Sequence, residues 1–162
     1  MLEAVLESRV ERDVVAERNE LRGRVEATLE SLSRELGPVL AGENGRPSRV
    51  RDAVAFLGQV LAAWPQVPDD AFPAEGAGFA ASVVVADLDT AARDEYTLLN
   101  GPLLDFDAGH VSLASPIGQA LLGARPGDTV VTQLPQRLRR LRVSAVQTLA
   151  DKLEDYARLR VA

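Results

Sequence analysis

The chain has 162 residues, 46% of them hydrophobic, and a formal net charge of −6, which suits one domain or two small ones with a packed core. It contains no cysteine and one histidine, His110, so disulfides, thiolate chemistry and Cys-based or His-rich metal sites are excluded. No apolar run approaches the ~20 residues that span a membrane, and the charged N-terminus lacks a signal-peptide core, so a cytoplasmic protein is expected.

Residues 1–64 carry a helical pattern, in which apolar residues recur at intervals of three, four or seven. Gly37-Pro38 is expected to end the first helix, because glycine can take a left-handed cap and proline does not continue a helix. Ser48 supplies a side-chain oxygen that can cap the second helix. Two such helices joined by a short tip predict an antiparallel helical hairpin, a coiled-coil arm, although two helices of an ordinary bundle would show the same pattern. The apolar positions are Val14, Leu21, Val25, Leu29, Leu32 and Leu36, then Val50, Leu57, Val60 and Trp64.

Residues 65–78 combine prolines, acids and small residues, and they are predicted to form a linker. From residue 79 the period changes to that of strands, and among these strands only residues 117–122 keep a helical pattern. We therefore predict an α+β fold, in which the hairpin precedes an antiparallel sheet domain, residues 79–146, folded over one short helix. An amphipathic helix is expected over residues 147–162. The predicted strands are 79–88, 95–99, 110–113, 129–134 and 138–146, the last two forming a hairpin around Pro135-Gln136.

Six short motifs follow one another through the sheet domain. They are Asp87-Leu88-Asp89, Glu95-Tyr96, Val111-Ser112, Ser115-Pro116-Ile117, Leu121-Leu122-Gly123 and Gly127-Asp128. In these motifs residues 79–146 resemble the C-terminal domain of the bacterial Gre transcript-cleavage factors (GreA/GreB). The resemblance implies an FKBP-like fold, docking at the rim of the RNA polymerase secondary channel, and an arm that enters the channel. Over residues 1–64 the resemblance rests on architecture alone.

The tip between the two helices departs from the Gre pattern. In the family two acids at the tip help to hold a second Mg²⁺ and a water, in a segment that reads roughly Asp-Leu-x-Glu-Asn-Ala-Glu-Tyr. Aligned on Glu43 and Asn44, this chain has Leu40 in place of the aspartate and Arg46 in place of an acid. One carboxylate holds a well-hydrated Mg²⁺ poorly, and Arg46 would repel it. No catalytic residue, metal site or cofactor is therefore predicted, and Glu43 is expected to be a solvated turn residue.

These features favour a transcription regulator that binds RNA polymerase without stimulating transcript cleavage, and that competes with active Gre factors or hinders nucleotide entry. The alternative is a cleavage factor that rescues backtracked polymerase, if Glu43 suffices alone or Glu35 or Asp52 reaches the tip. A prolyl isomerase is suggested only by the FKBP-like fold, and fold does not transmit function. We expect a monomer that is not itself an enzyme, with RNA polymerase as its partner and with neither membrane association nor sequence-specific DNA binding.

Ser115, Pro116 and Ile117 form the candidate contact with the polymerase. Structural roles account for this corner as well, since Ser115 can cap a helix, Pro116 suits its first position, and Gly123 can follow its last. The two interpretations are compatible, because a rigidly capped corner loses little entropy on binding. A serine nucleophile would need a neighbouring base, and the only histidine, His110, is expected at a strand edge.

The basic run Arg-Leu-Arg-Arg-Leu-Arg at residues 137–142 lies in the predicted closing hairpin. It could face nucleic acid or an acidic surface of the polymerase. Arginines on the solvent-exposed face of a sheet explain the run more simply. The net negative charge also argues against binding of a phosphate backbone by the whole surface.

Overall fold

The computed structural model describes residues 2–40, 49–101 and 104–159, with the side chains of the first range described from residue 14 to residue 35. The chain divides into two compact units, residues 1–65 with 150–162, and residues 66–149. None of the helices described is long and apolar enough to cross a membrane. The helices are α1 (Leu2–Leu40), α2 (Arg49–Ala63), α3 (Pro116–Leu121) and α4 (Leu149–Arg158), and the strands are β1 (Ser82–Asp87), β2 (Arg93–Leu99), β3 (His110–Ser112), β4 (Thr129–Gln133) and β5 (Leu138–Gln147).

The first helix continues through Gly37 and Pro38 to Leu40, so the prediction that it ends at Gly37-Pro38 is wrong. The φ of proline, about −65°, already lies in the helical range, and proline costs a helix one N–H donor and a clash with the carbonyl four residues back. Only two residues follow Pro38 in α1, so little helix remains to be disrupted beyond it.

α1 and α2 form the predicted antiparallel hairpin. Val25 and Leu32, seven residues apart on α1, are fully buried, as is Leu57 on α2. The direction follows from Arg18, whose Nη2 donates to the carbonyl oxygen of Trp64 at 3.0 Å, so the early part of α1 lies beside the end of α2. The heptad-like spacing of the apolar stripe keeps one face of each helix against the other.

α4 belongs to the same unit as the hairpin and contacts α2 through Lys152. The ammonium group of Lys152 lies 4.4 Å from the centre of the Phe56 ring, and Leu153 is buried. Burial, together with two neighbouring carboxylates, raises the pKa of Tyr156 to about 12. A helix of 10 residues is marginal in water by itself, so these contacts stabilise it. An open groove of about 910 Å³ remains between α2 and α4.

The second unit holds a five-stranded sheet in the order β3-β2-β1-β5-β4. Each neighbouring pair is antiparallel except β2 and β3, which run parallel, so the sheet is mixed where an antiparallel one was expected. Residues 100–109 separate β2 from β3, and a parallel pair requires such a longer connection in place of a two-residue hairpin. One face of the sheet forms the core with α3, through the buried residues Val83, Val85, Leu98, Leu121, Leu141 and Val143.

Residues 65–78, predicted as a linker, contribute to the core of the second unit. A 3-10 turn forms at Asp69–Ala71, and Ala77 is buried. Ala77 exchanges backbone hydrogen bonds with two residues that follow α3. Its N–H donates to the carbonyl of Ala124 at 2.9 Å, and its carbonyl accepts from the N–H of Gly123 at 2.6 Å. This part of the segment is therefore fixed to the end of α3.

Candidate functional site

The start of α3 is built around Ser115. Its backbone is extended, with φ −73° and ψ 158°, and its Oγ accepts a hydrogen bond from the N–H of Gly118 at 3.0 Å. The same hydroxyl donates to the carbonyl oxygen of Ser112 at 2.7 Å. Both hydrogen-bonding roles of the hydroxyl are thus used in capping the helix. His110 lies on the edge strand β3, and its Nδ1 accepts from the N–H of Asp105 at 3.1 Å, so this histidine is engaged elsewhere.

Pro116 and Ile117 form an apolar projection at this corner. Pro116 occupies the first turn of α3, where its missing N–H would have had no helical partner and its φ already suits the helix. It is exposed, and Ile117 is half-buried. The structure therefore brings the three predicted contact residues, Ser115, Pro116 and Ile117, together at one capped helix start.

The packing beneath the corner requires glycine at position 118. A Cβ at Gly118 would overlap the carbonyl oxygen of Ser112 and crowd the backbone of Leu113. The side-chain amide of Gln119 donates to the carbonyl of Leu113 at 2.6 Å, and Leu121 is fully buried. α3 is therefore held against the end of β3, with its first residues directed outward.

The other end of α3 is closed by a glycine, as predicted. Gly123 follows the C-cap residue Leu122 and has a φ of +82°, the left-handed conformation that glycine adopts after a helix. Gly76 approaches the same point so closely that a Cβ on it would overlap the carbonyl oxygen of Gly123. Both ends of the short helix are thus fixed by backbone contacts.

A buried ion pair at the end of β1 is a feature that the sequence analysis missed. The side chain of Asp87 is 2% exposed, and its Oδ2 accepts from Arg139 Nε at 3.1 Å. Its Oδ1 accepts from the backbone N–H groups of Asp89 and Thr90 at 2.8 and 3.1 Å. Arg139 Nη1 also donates to the hydroxyl of Tyr96 at 3.2 Å. The hydrogen bond from the Asp89 N–H, followed by the Arg139 donor, holds the pKa of Asp87 below its ordinary value.

The basic run of residues 137–142 is divided between the two faces of β5. Arg139, only 12% exposed in its side chain, lies on the same face as the buried Leu141, whereas Arg140 and Arg142 are exposed. Arg140 pairs with Asp89 at 2.7 Å. The period of two along a strand was the signal that could have identified the inward arginine, because it places residues 139 and 141 together.

The arm tip lies almost entirely outside the described residues. Leu40 is the last residue of α1 by its backbone, and its side chain is outside those described, as are Glu43, Asn44 and Arg46 in the segment 41–48. The described residues contain no group of three or more His, Asp or Glu that could hold a metal ion. The role of the tip residues therefore stays a prediction from the sequence.

The second unit is similar to known proteins. Residues 73–148 match the family model described as "Transcription elongation factor, GreA/GreB, C-term". Transcription elongation factor GreA from Maridesulfovibrio salexigens is 43% identical over 58 residues, which are 36% of each chain. GreA from Nitratidesulfovibrio vulgaris (strain DSM 19637 / Miyazaki F) is 29% identical over 91 residues, 56% of this chain and 57% of that protein. The chain thus spans about a third to just over half the length of these curated relatives.

Among solved structures, the GreA factor homolog 1 (Gfh1) protein of Thermus thermophilus is 19% identical with a TM-score of 0.40, over 83% of this chain and 92% of that one. A GreA/GreB factor from Nitrosomonas europaea is 22% identical with a TM-score of 0.39, over 77% and 92% of the two chains. The residues matched by the family model, 73–148, contain both the capped corner and the buried ion pair.

Proposed function

Since this chain is a homologue of the Gre transcription elongation factors, carrying their C-terminal domain over residues 73–148, we propose that it is a transcription factor that binds RNA polymerase. The contact surface is the corner of Ser115, Pro116 and Ile117, and its site on the polymerase is the rim of the secondary channel. The protein acts as a monomer in the cytoplasm and is not itself an enzyme.

The observation that supports this proposal most directly is the rigidity of the corner. The hydroxyl of Ser115 is committed to the cap on both sides, and Gly118 is packed against the end of β3. The exposed Pro116 is therefore held in one position before any partner arrives. A preorganised apolar projection loses little conformational entropy on binding, and apolar anchors seated in a pocket supply much of the energy of an interface.

A pull-down with purified core RNA polymerase tests the corner. The docking variant is Pro116→Ala combined with Ile117→Ala, which keeps the Ser115 cap and so keeps the start of α3. We expect its affinity to fall by about tenfold or more, as for loss of an interface anchor. Pro126→Ala, at an exposed proline in the turn before β4, is the matched control and should bind as the wild type does.

The two ways in which this experiment can fail have different meanings. Equal binding by the wild type and the folded docking variant would remove the corner from the interface while leaving the polymerase as partner. Absence of binding by the wild type at micromolar concentrations would contradict the proposed function itself. Circular dichroism of each variant distinguishes loss of the interface from loss of the fold.

The tip sequence supports a role without stimulation of transcript cleavage. Leu40 stands where the related factors carry an aspartate, so Glu43 lacks the second carboxylate that a shared Mg²⁺ requires. With stalled elongation complexes, we expect no shortening of the transcript by the wild type. Leu40→Asp should introduce cleavage because it restores a pair of acids. Leu40→Asn should not, because asparagine has nearly the size of aspartate but no charge.

Transcript shortening by the wild type would instead identify a cleavage factor, which the retained Glu43 and Asn44 favour as the second candidate. A protein that occupies the channel without stimulating cleavage should also hinder the entry of active Gre factors and of nucleotides. We expect it to slow cleavage by an active Gre factor in mixed reactions, and to slow nucleotide addition when present in excess. Unchanged rates in both assays would contradict competition at the channel.

A further inference from the structure

The sheet has an outward side, opposite the side that packs on α3, and arginines lie on it in register. Strand pairing places Thr129, Arg142, Ala86 and Arg93 in one row across β4, β5, β1 and β2. Arg93 and Arg142 are exposed, and within the described part of the chain neither forms a hydrogen bond or ion pair. They lie two strands apart, ~10 Å, with only the methyl group of Ala86 between them.

Exposed apolar side chains lie on the same side of the sheet as these arginines. Leu88, Val131 and Leu138 are 46%, 54% and 55% exposed. The alternation of side chains along a strand places Val131 on the same side as Thr129, and Leu138 on the same side as Arg142. Leu88 follows the last residue of β1, and its N–H donates to the carbonyl of Arg140 at 2.9 Å, which continues the pairing with β5 by one residue. Exposed apolar residues grouped with charged ones are typical of interaction sites. We call this surface the outer face; it consists of Ala86, Leu88, Arg93, Glu95, Val131, Leu138, Arg140 and Arg142, of which Arg140 is already paired with Asp89.

We propose that the outer face binds an acidic polypeptide segment that also carries apolar side chains. A carboxylate of the partner would lie over Ala86 between Arg93 and Arg142, while its apolar residues contact Leu88 and Val131. Charge complementarity identifies the partner, because the two unpaired arginines are a local positive site on a chain of net charge −6. This surface is separate from the Ser115 corner, so the inference goes beyond the proposed function.

The chemistry of the outer face favours a polypeptide over nucleic acid or a second copy of this chain. The face has no aromatic ring on which a base could stack, whereas single strands bind to stacked aromatics in a continuous positive groove. A two-fold contact between two copies would place identical patches against each other. Residues need not meet their own copies there, but the two patches would bring four exposed arginines into one interface, which opposes association.

Fluorescence anisotropy with designed probes tests the proposal on the full chain. The probe is a fluorescein-labelled peptide of repeating Glu-Asp-Leu; the comparison probes are a Lys-Lys-Leu peptide of equal length and an oligothymidine. We expect the wild type to bind the acidic peptide in preference to both. Arg93→Glu with Arg142→Glu should weaken that binding by about tenfold, since each exposed charge pair contributes a modest binding energy and charge reversal adds repulsion.

Binding of the acidic peptide should also weaken as the salt concentration rises from about 0.01 M to 0.15 M, because the Debye length falls from ~30 Å to ~8 Å.

Arg24→Glu with Arg34→Glu, on the exposed surface of α1, is the matched control with the same change in net charge, and it should bind within about twofold of the wild type. Val131→Ser should weaken binding while leaving the charges in place. The milder pair Arg93→Gln with Arg142→Gln replaces the reversal if that variant fails to fold. Equal weakening by both arginine pairs, equal binding of the two peptides, tighter binding of oligothymidine, or self-association through Val131 in sedimentation would each overturn the proposal.

Discussion

Asp87 shows what a buried carboxylate requires of the residues around it. A charge removed from water is tolerated when it is paired and hydrogen-bonded, and Asp87 has one guanidinium partner and two backbone donors. The two N–H groups come from the turn that follows β1, and Arg139 comes from β5. One side chain therefore joins a turn to a strand that is distant in sequence, in the same domain that carries the Ser115 corner.

Replacement of Asp87 by Asn should lower the unfolding midpoint in urea at neutral pH and flatten its pH dependence. The folded-state pKa of Asp87 lies below its ordinary value of 3.8. The stabilisation by its ionised form is therefore present above about pH 4 and is lost as the pH falls through the folded-state pKa. The difference between wild type and Asp87→Asn should shrink over that acidic range. Asp89→Asn, at an exposed ion pair, should change little at any pH; parallel pH profiles for Asp87→Asn and wild type would contradict this assignment.

Two glycine-to-alanine substitutions should change the free energy of unfolding in opposite directions. Gly118→Ala places a methyl group against the backbone of Ser112 and should lower the free energy of unfolding by ~2 kcal/mol or more. Gly58→Ala, in the middle of α2 where an added methyl meets nothing within 4 Å, should raise it by ~0.5–1 kcal/mol through helix propensity. Chemical unfolding measures the free energy of unfolding of both variants. Equal small effects would show that α3 can move away from β3.

At the scale of elements, α4 illustrates a helix that exists because of its neighbour. Leu153 and Lys152 are buried, and the ammonium group of Lys152 lies over the Phe56 ring of α2, yet an open groove remains beside α4. Short elements with few buried contacts open more readily than the global fold. Lys152 is the only lysine of the chain, so its reactivity reports specifically on the docking of α4.

Leu153→Ala should increase the rate at which Lys152 reacts with an amine-specific reagent by at least about tenfold. The substitution removes ~2–5 kcal/mol of packing, and each ~1.4 kcal/mol raises the opened fraction tenfold. Peptide mapping by mass spectrometry separates the lysine from the N-terminal amine. Glu154→Ala, at an exposed position of the same helix, should leave the rate unchanged. Fast labelling of the wild type, equal to that of Leu153→Ala, would mean that α4 is not held in place.

At the scale of the whole molecule, two units each have a core of their own. The helical unit is centred on the apolar stripes of α1 and α2, and the second unit on one face of the sheet with α3. Residues 66–78 belong to the second unit, where Ala77 is hydrogen-bonded to both Gly123 and Ala124. The boundary that matters for folding is therefore expected near residue 66.

A fragment of residues 66–149 should fold by itself and unfold cooperatively. The shorter fragment 79–146 should be less stable, with a lower unfolding midpoint, because it lacks the buried Val67, Ala71 and Ala77 and the backbone hydrogen bonds at the end of α3. Thermal unfolding followed by circular dichroism compares the two. If both fragments melted alike, residues 66–78 would be a linker, as their composition alone indicates.

Much of this architecture was predictable because it depends on local chemistry. The interval between Val25 and Leu32 indicates a buried stripe whatever the partner helix is. The alternation in β1 and β5 likewise indicates strands with one buried face, and the sequence Ser-Pro at residues 115–116 indicates a helix start. The order of motifs around Ser115 likewise indicates the resemblance to the Gre factors from the sequence alone.

By itself the sequence determined the α+β class, the helical hairpin, the strands and the capped corner, since each depends on residues close together in the chain. The tertiary structure alone decided that β3 pairs parallel with β2, that Asp87 is the partner of Arg139, and that α4 joins the helical unit. Long-range pairing and burial are energies between residues far apart in sequence, and they can override a local preference of a few kcal/mol. No pattern within one segment contains them.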